Sequence, residues 1–548
     1  MTAGGRPIHE VTNQPPPLEG YNLVEADTAL VDALRREGGG WFEADLVALG
    51  KIAGTPEVLG WGRLANEHPP LLRTHDRYGN RIDEVEFHPS WHALMRTSVS
   101  HGIHALPWRE PREGSHVARA AMVILMAEVE SGHGCPITMT YAAVPALRTD
   151  PAIAAEWEPR LTSLDYDPRL VPPAEKAGAL AGMAMTEKQG GSDVRANTTH
   201  AEPLAGDGEY LLTGHKWFCS APMCDIFLVL AQAPGGLTCF LLPRVLPDGL
   251  RNAFRIQRLK DKLGNRSNAS SEIELDGAWA RRLGEEGRGV NTIIQMVNHT
   301  RLDCVLGSTG LVRKAIAEAT HHAAHRSAFG KSLVEQPAMA NVLADLCLES
   351  EASTALAMRL ARAVDEGNRD DRSAAFRRLA VAVGKFHVTK TAIGVVAEAL
   401  ECLGGNGFVE ESGMPRLYRE IPLNSIWEGS GNVNALDVLR AVGKDPESLD
   451  VYMDEVSLAR GADPRLDAFV AQLEREVRDP TKVETRARRL TERLAMALQG
   501  SLLVRHAPPE IADAFCASRL ADGGGRSYGT LPPSVDFTAI IDRHRPVA

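Results

Sequence analysis

The spacing of apolar and polar positions changes along the chain. Up to about residue 180, apolar residues recur at helical intervals between prolines, as in HVARAAMVILMAEVE, where Val117, Ala121, Ile124 and Leu125 fall on one face. From about 183 to 285 the runs shorten to EYLLTG, DIFLVLAQ, LTCFLLPR, FRIQRLK and SEIELDG, separated by Gly, Pro and Asp. These predict five strands with tight turns, forming a small β-barrel or a sandwich. The helical period returns over 290–326, 338–365 and 373–402, lengths suited to a bundle, with a fourth helix starting near Asn432. Beyond about 443 a charged segment keeps helical spacing as far as ADGGGRSYGTLPP, which reads as loop. The expected division is 1–182 helical, 183–288 β, 289–443 helix bundle and 444–548 an extra helical domain.

Length agrees with this division, since 548 residues exceed what one core serves and suggest about three or four domains. The chain is 44% hydrophobic and 24% charged, which is ordinary for a globular protein. A net charge of -11 excludes any blanket attraction to nucleic acid, so a DNA contact would need a local basic patch. The eight cysteines form no CxxC and only Cys219 and Cys224 lie close, against a zinc ribbon or a disulfide framework. MTAGGRPIHEVTNQPPPLEGY has no apolar leader, and runs such as ITMTYAAVPAL fall short of the roughly 18 to 20 residues of a membrane helix. A cytoplasmic protein with no membrane partner is expected.

Several motifs invite a chemical reading, and each alone also has a structural one. MTEKQGGSDVRANT (185–198) joins flexible glycines to hydroxyls where helix gives way to strand, a place to meet an anion or a flat ring, or simply a loop. HKWFCS (215–220) is an aromatic platform with a hydroxyl, or a core strand. In HHAAHRSAFGKSLVEQP, GKS is not a P-loop, because the glycine required five residues before Gly330 is His325. His321 and His325 are one helical turn apart, but no carboxylate or cysteine accompanies them and no metal is expected. Arg326, followed by Phe329, Gly330 and Gln336, can hold a pyrophosphate. LGGNGFVEESG is not a dinucleotide fingerprint, since Glu410 stands where the third glycine belongs and a helix precedes it.

Taken together, MTEKQGGSDV, RSAFGKSLVEQP, CLGGNG and WEGSGN, in this order and spacing, resemble the acyl-CoA dehydrogenase flavoproteins. The likeness is greatest to the AidB branch, the alkylation-response proteins, and runs from NQPPPLEGYNL through the tail. It implies a mainly α fold with a central β-barrel: an N-terminal helical domain, the barrel, a four-helix bundle and a C-terminal helical domain, assembled as a homotetramer around FAD. By resemblance, Met185, Thr186, Gly191 and Ser192 line the flavin, with Phe218, Cys219 and Ser220 on its other side. Trp217 precedes the position the family fills with an indole, which Phe218 occupies here. Arg326, Phe329 and Gln336, with the loop Gly404, Gly405, Asn406 and Gly407, hold the adenosine diphosphate half, partly across a subunit boundary. Glu428 matches the catalytic base beside Trp427, and Ser430 and Asn432 cap the last bundle helix and touch the flavin. Burial beside Trp427, away from cations, should raise the carboxyl's pKa toward that of an acyl-thioester α-proton. Arg301 matches the arginine of the CoA-binding helix, but Asn298 replaces the family's aspartate three residues earlier.

The tail segment DPTKVETRARRLTERLAMAL reads as a helix starting at Asp479 and Pro480. Val483, Ala487, Leu490 and Leu494 form an apolar stripe. Lys482, Arg486, Arg489 and Arg493 form a basic one about 100° away. This face is either solvated and balanced by Glu484 and Glu492 or, as the resemblance implies, a sequence-independent contact to double-stranded DNA joined by Arg440. The expectation is an AidB-like FAD enzyme acting on an acyl thioester; the alternative is a metabolic acyl-CoA dehydrogenase with no nucleic-acid role.

Overall fold

In the computed structural model, which describes residues 9–367, 369–521 and 523–547, the predicted succession of helices, barrel, bundle and helical tail is present. The first eight residues, read above as lacking a leader, and Asp522 in the ADGGGRSYGTLPP loop lie outside the described residues. The N-terminal part is not wholly helical: β1 (Leu71–His75) and β2 (Arg81–Glu86) form an antiparallel hairpin across the turn Asp76–Asn80. Its polar, half-exposed strands lack the apolar run that would have signalled them. Helices Ser115–Val129 and Gly134–Leu147 are buried almost all round, because they pack between the rest of this domain and the bundle.

The five strands read from the sequence are present and two short ones join them in a seven-stranded sheet: β3 (Ala181–Ala184), β4 (His200–Pro203), β5 (Glu209–Ser220), β6 (Ile226–Ala233), β7 (Gly236–Pro243), β8 (Phe254–Leu259) and β9 (Ser270–Leu283). Strands β6, β4, β5, β9 and β7 close into a ring through the β6–β7 pairing, while β3 extends β6 and β8 lies on β9. Ring closure removes the exposed edges an open sheet would present. Strands β3 and β4 are only four residues each, too short to show a period in sequence. The β5–β9 register slips between Lys216 and Cys219. A bulge there breaks the alternation, which places Trp217 and Phe218 together under the Lys260 ammonium, 3.5 and 4.6 Å from the ring centres.

Four helices make the bundle: Gly289–His325, Pro337–Glu366, Asp371–Cys402 and Gly431–Lys444. The first, at 37 residues, is about 55 Å long and is contacted by barrel, N-terminal domain and tail. Pro337 opens the second at a position where its missing N–H costs nothing, and Asp370 caps the third by accepting from Ser373 N. The third is long and apolar enough on average to cross a membrane, but most of it is buried in the bundle.

The tail helices pack back on this core. Arg519 pairs with Asp345 and Glu349, and Arg543 with Glu351, while Arg313 donates to the carbonyl of His544. Two readings of the tail are corrected. Its basic helix begins at Ala487 rather than Asp479, because Lys482 adopts a left-handed φ of +48° and Val483–Arg486 is a separate short turn. Lys482 and Arg486 therefore share no helix face with Arg489 and Arg493. All eight cysteines are buried and unbridged.

Candidate active site

Glu428 lies between the turn Ile421–Ser425 and the fourth bundle helix. Its φ is +57° and that of Gly429 is +99°, so two consecutive residues take left-handed conformations. For a glutamate this costs roughly 1–2 kcal/mol, and the surroundings must hold it. They do so through the backbone. The Lys385 ammonium donates to the carbonyls of Trp427 at 2.9 Å and Gly429 at 2.6 Å, and Arg301 Nε donates to that of Glu428 at 3.1 Å. Asn434 Nδ2 adds a bond to the Ser430 carbonyl. The Trp427 indole donates to Asn424, which in turn bonds Ser308. Ser430 occupies the N-cap position, but its side chain makes no capping bond, a correction to the expectation; Asn432 instead accepts from Arg488 at 3.4 Å.

The Glu428 side chain is half-buried, with Thr300 Oγ1 donating to Oε2 at 2.7 Å. Burial raises its pKa, partly opposed by the Thr300 hydrogen bond and the charges of Arg301 and Lys385. Isolation from cations is thus corrected: two lie close, but both are tied to the backbone. Arg301 is further engaged by Asp437 at 2.9 Å, a carboxylate that also takes Arg378 at 2.8 Å and Arg440 at 3.2 Å. Burial opposes it, but Arg301 and Arg378 hold the Asp437 carboxyl below its usual range. Three guanidiniums on one carboxylate give this cluster a net positive charge.

On the barrel side the amide of Trp217 donates to the carbonyl of Thr186 at 2.8 Å, joining the MTEKQGGSDV loop to β5. Beneath it the wholly buried pair Lys216–Glu187, 2.9 Å apart, fixes the same junction, with Lys216 also donating to the Leu230 carbonyl. Glu187 accepts from Thr198 and Thr199, so this buried charge is well hydrogen-bonded. Met185 and Thr186 are half-buried, Gly191 and Ser192 are exposed, and Phe218 is 50% exposed. A Cβ on Gly191 would sit 2.4 Å from Thr186 Oγ1, so only glycine allows this close turn. Cys219 is fully buried, its thiol pushed up to about 12 by burial, and its carbonyl accepts from Ser271 Oγ at 2.8 Å. Ser220 lies beside Ser270.

Arg326 ends the first bundle helix and leads into a tight hairpin, Ser327–Ala328 with Lys331–Ser332. Phe329 and Gly330, at φ +52° and +80°, form its two-residue turn, and Phe329 is entirely exposed. Gln336 braces the hairpin by donating to the Ala328 carbonyl at 2.9 Å. The turn Gly404–Phe408 follows the third bundle helix; Gly404 and Gly405 front open space, whereas a Cβ on Gly407 would lie 2.1 Å from the Leu400 carbonyl. A guanidinium, a free aromatic ring, an amide and bare glycine backbone suit a pyrophosphate and a purine, so the residues fit FAD. Arg326 lies 25 residues beyond Arg301 on the same helix, which is about 37 Å.

The DNA candidates are scattered. Arg486 is spent on the backbone carbonyls of Thr481, Glu476 and Asp479, and Arg493 pairs with Glu476 while covering Phe469. Arg489 also meets Glu476 but stays exposed, as do Lys482 and Arg440. His321 and His325 serve backbone carbonyls, and among the described residues no group of three or more His, Cys, Asp or Glu side chains is placed to hold a metal. Sequence reasoning missed Thr300, Lys385, Asp437 and the Glu187–Lys216 pair. A lone lysine in the apolar run LAVAVGKFHV was the available signal for Lys385.

The chain belongs to the acyl-CoA dehydrogenase family, whose enzymes are FAD-dependent oxidoreductases. Residues 182–278 match the acyl-CoA dehydrogenase middle domain and 287–443 its C-terminal domain. Residues 13–168 match the N-terminal domain of the adaptive response protein AidB, which assigns the chain to that branch. It is 48% identical to the AidB protein of Escherichia coli (strain K12), over 94% of this chain and 95% of that one. Acyl-CoA dehydrogenase family member 11 of Caenorhabditis elegans is 31% identical, over 83% and 78%. The crystal structure of C. elegans ACDH-11 in complex with C11-CoA superposes with a TM-score of 0.86 at 28% identity, covering 94% of both chains.

Proposed function

We propose that the protein removes the α-proton of an acyl thioester with Glu428, the first half of an α,β-dehydrogenation. The carrying observation is the carboxylate itself: half-buried, held in a left-handed turn, bonded through Oε2 to Thr300, with the nearby cations committed to the flanking carbonyls. A base so placed keeps a raised pKa and a fixed direction, the two requirements of general-base catalysis. Bound FAD supplies the acceptor for the hydride leaving the β-carbon. Met185, Thr186, Gly191 and Ser192 seat the ring system against Phe218. Arg326, Phe329, Gln336 and the Gly404–Gly407 loop take the adenosine diphosphate half, partly across a subunit boundary; the rise of about 37 Å along one helix between Arg326 and Arg301, which bonds the Glu428 carbonyl, supports that division. Such a division needs at least a second copy, and the assembly proposed with it is a homotetramer; a cytoplasmic location is proposed separately, on the sequence alone. The C11-CoA carried by the C. elegans relative supports an acyl-CoA substrate. Anaerobic mixing with acyl-CoAs of graded length tests the reading: the flavin should bleach, and Glu428→Gln should abolish the bleaching; equal bleaching in the variant removes the base assignment.

A second reading adds sequence-independent binding of double-stranded DNA in an alkylation response. The net positive cluster around Asp437 and the exposed Arg440, Lys482 and Arg489 favour it. Duplex affinity should fall steeply with salt. Affinity indifferent to salt would leave a metabolic acyl-CoA dehydrogenase with no nucleic-acid role.

A further inference from the structure

The N-terminal arm crosses the molecule to reach the Arg326 hairpin. Asn13, in a left-handed conformation at φ +57°, exchanges both amide atoms of its side chain with Ser327: Ser327 N donates to Oδ1 at 2.7 Å and Nδ2 donates to the Ser327 carbonyl at 2.8 Å. The Asn13 carbonyl accepts from Arg326 Nη1 at 2.7 Å. One residue on, Gln14 Oε1 accepts from Asn406 Nδ2 at 3.2 Å. Two adjacent arm residues therefore grip both segments assigned above to the nucleotide end of FAD. Those segments are distant in sequence.

The grip has a stiff support. Pro15, Pro16 and Pro17 restrict the arm to extended conformations, His321 Nε2 donates to the Pro16 carbonyl at 2.9 Å, and Leu18 is buried. Gly20 N then donates to the Gly54 carbonyl at 2.8 Å, anchoring the far end. A two-residue hairpin is too short to be stable by itself, so the side chain of Asn13 acts as a third, strand-like partner for it. A cleft of about 990 Å³ opens beside the arm, lined among others by Gln14, Leu18, His322, Asn406 and Arg416.

We propose that Asn13 and Gln14 form a clamp that sets the adenosine diphosphate end of the FAD site, with Asn13 aiming Arg326 and Gln14 aiming Asn406. The proposal rests on the assignment of Arg326 and the Gly404–Gly407 loop to that end. Both are positioning residues, and the arm couples the cofactor to the N-terminal domain that distinguishes this branch.

The test compares full-length wild type with Asn13→Gly, which keeps the left-handed backbone while removing the amide, and with Gln14→Ala and Arg326→Ala. Flavin release is followed by fluorescence, and binding of ADP to apoprotein by calorimetry. Asn13→Gly should release FAD ~10-fold faster and bind ADP more weakly by a similar factor, as expected for losing two hydrogen bonds. Its far-UV circular dichroism and assembly size should match wild type, and Gln14→Ala should show a smaller change of the same sign. If Arg326→Ala loses FAD and ADP but Asn13→Gly and Gln14→Ala retain both like wild type, the clamp is overturned and the nucleotide assignment stands. If Arg326→Ala also behaves like wild type, the assignment itself falls and the clamp with it.

Discussion

Lys385 sits 1% exposed beneath the loop it holds, and replacing it by methionine keeps length while deleting the ammonium. The carbonyls of Trp427 and Gly429 then lose their donor, and each buried acceptor left unpaired costs about 1–3 kcal/mol. Against this, an amine that burial already pushes below its ordinary pKa no longer has to be desolvated, which returns part of the loss. The net destabilisation should be about 2–4 kcal/mol. For a bundle of this size it corresponds to a drop of roughly 5–10 °C in the unfolding transition of the bundle. The site adds a second, independent readout. Removing a positive charge near Glu428 raises that carboxyl's pKa further, so the acidic limb of the pH–rate profile for flavin reduction should move to higher pH. Lys385→Arg, which keeps charge and donors, should restore most of both. Unchanged thermal stability together with an unmoved acidic limb in Lys385→Met would refute the argument that this amine holds the catalytic turn.

Glu428→Gln should lower flavin reduction by at least ~10²-fold. It should also stabilise the folded protein at neutral pH: a carboxyl whose folded pKa is raised destabilises the fold once pH exceeds its unfolded value and contributes nothing below it. The gain seen in thermal melts at pH 7 should therefore vanish below about pH 4. Asp303→Asn breaks the bidentate ion pair with Arg119, at 2.7 and 2.6 Å and almost wholly buried, and weakens the support from Thr138; about 3–5 kcal/mol of stability should be lost in thermal melts. Reversing Arg440, Lys482 and Arg489 to glutamate should reduce the log–log salt slope of duplex binding by about three units, roughly one per phosphate contact. An unaltered slope would place any DNA contact elsewhere.

Local chemistry made the bundle helices and the five longer barrel strands readable, because long periodic runs survive tertiary packing. The β1–β2 hairpin was not, since strands such as RIDEVE are polar and gain their pairing only from the partner. The tail helix was misplaced by eight residues because nothing local at Lys482 announces its left-handed conformation, which opens the short turn Val483–Arg486 ahead of the helix beginning at Ala487. Motif order pointed to Glu428, yet its setting was invisible: Lys385, Arg301 and Thr300 come from helices more than 40 and more than 120 residues away. The same limit broke the basic stripe. Arg486 and Arg493 look free in a helical projection, but the folded tail offers carbonyls, Glu476 and Phe469 to absorb them.

Exchange of the substrate's α-hydrogen with solvent deuterium isolates proton abstraction from every later event. An acyl-CoA that bleaches the wild-type flavin, incubated in D2O and followed by mass spectrometry, should gain deuterium at the α-carbon with wild-type protein and at least ~10²-fold more slowly with Glu428→Gln. Equal labelling by the two proteins would show that another group takes the proton.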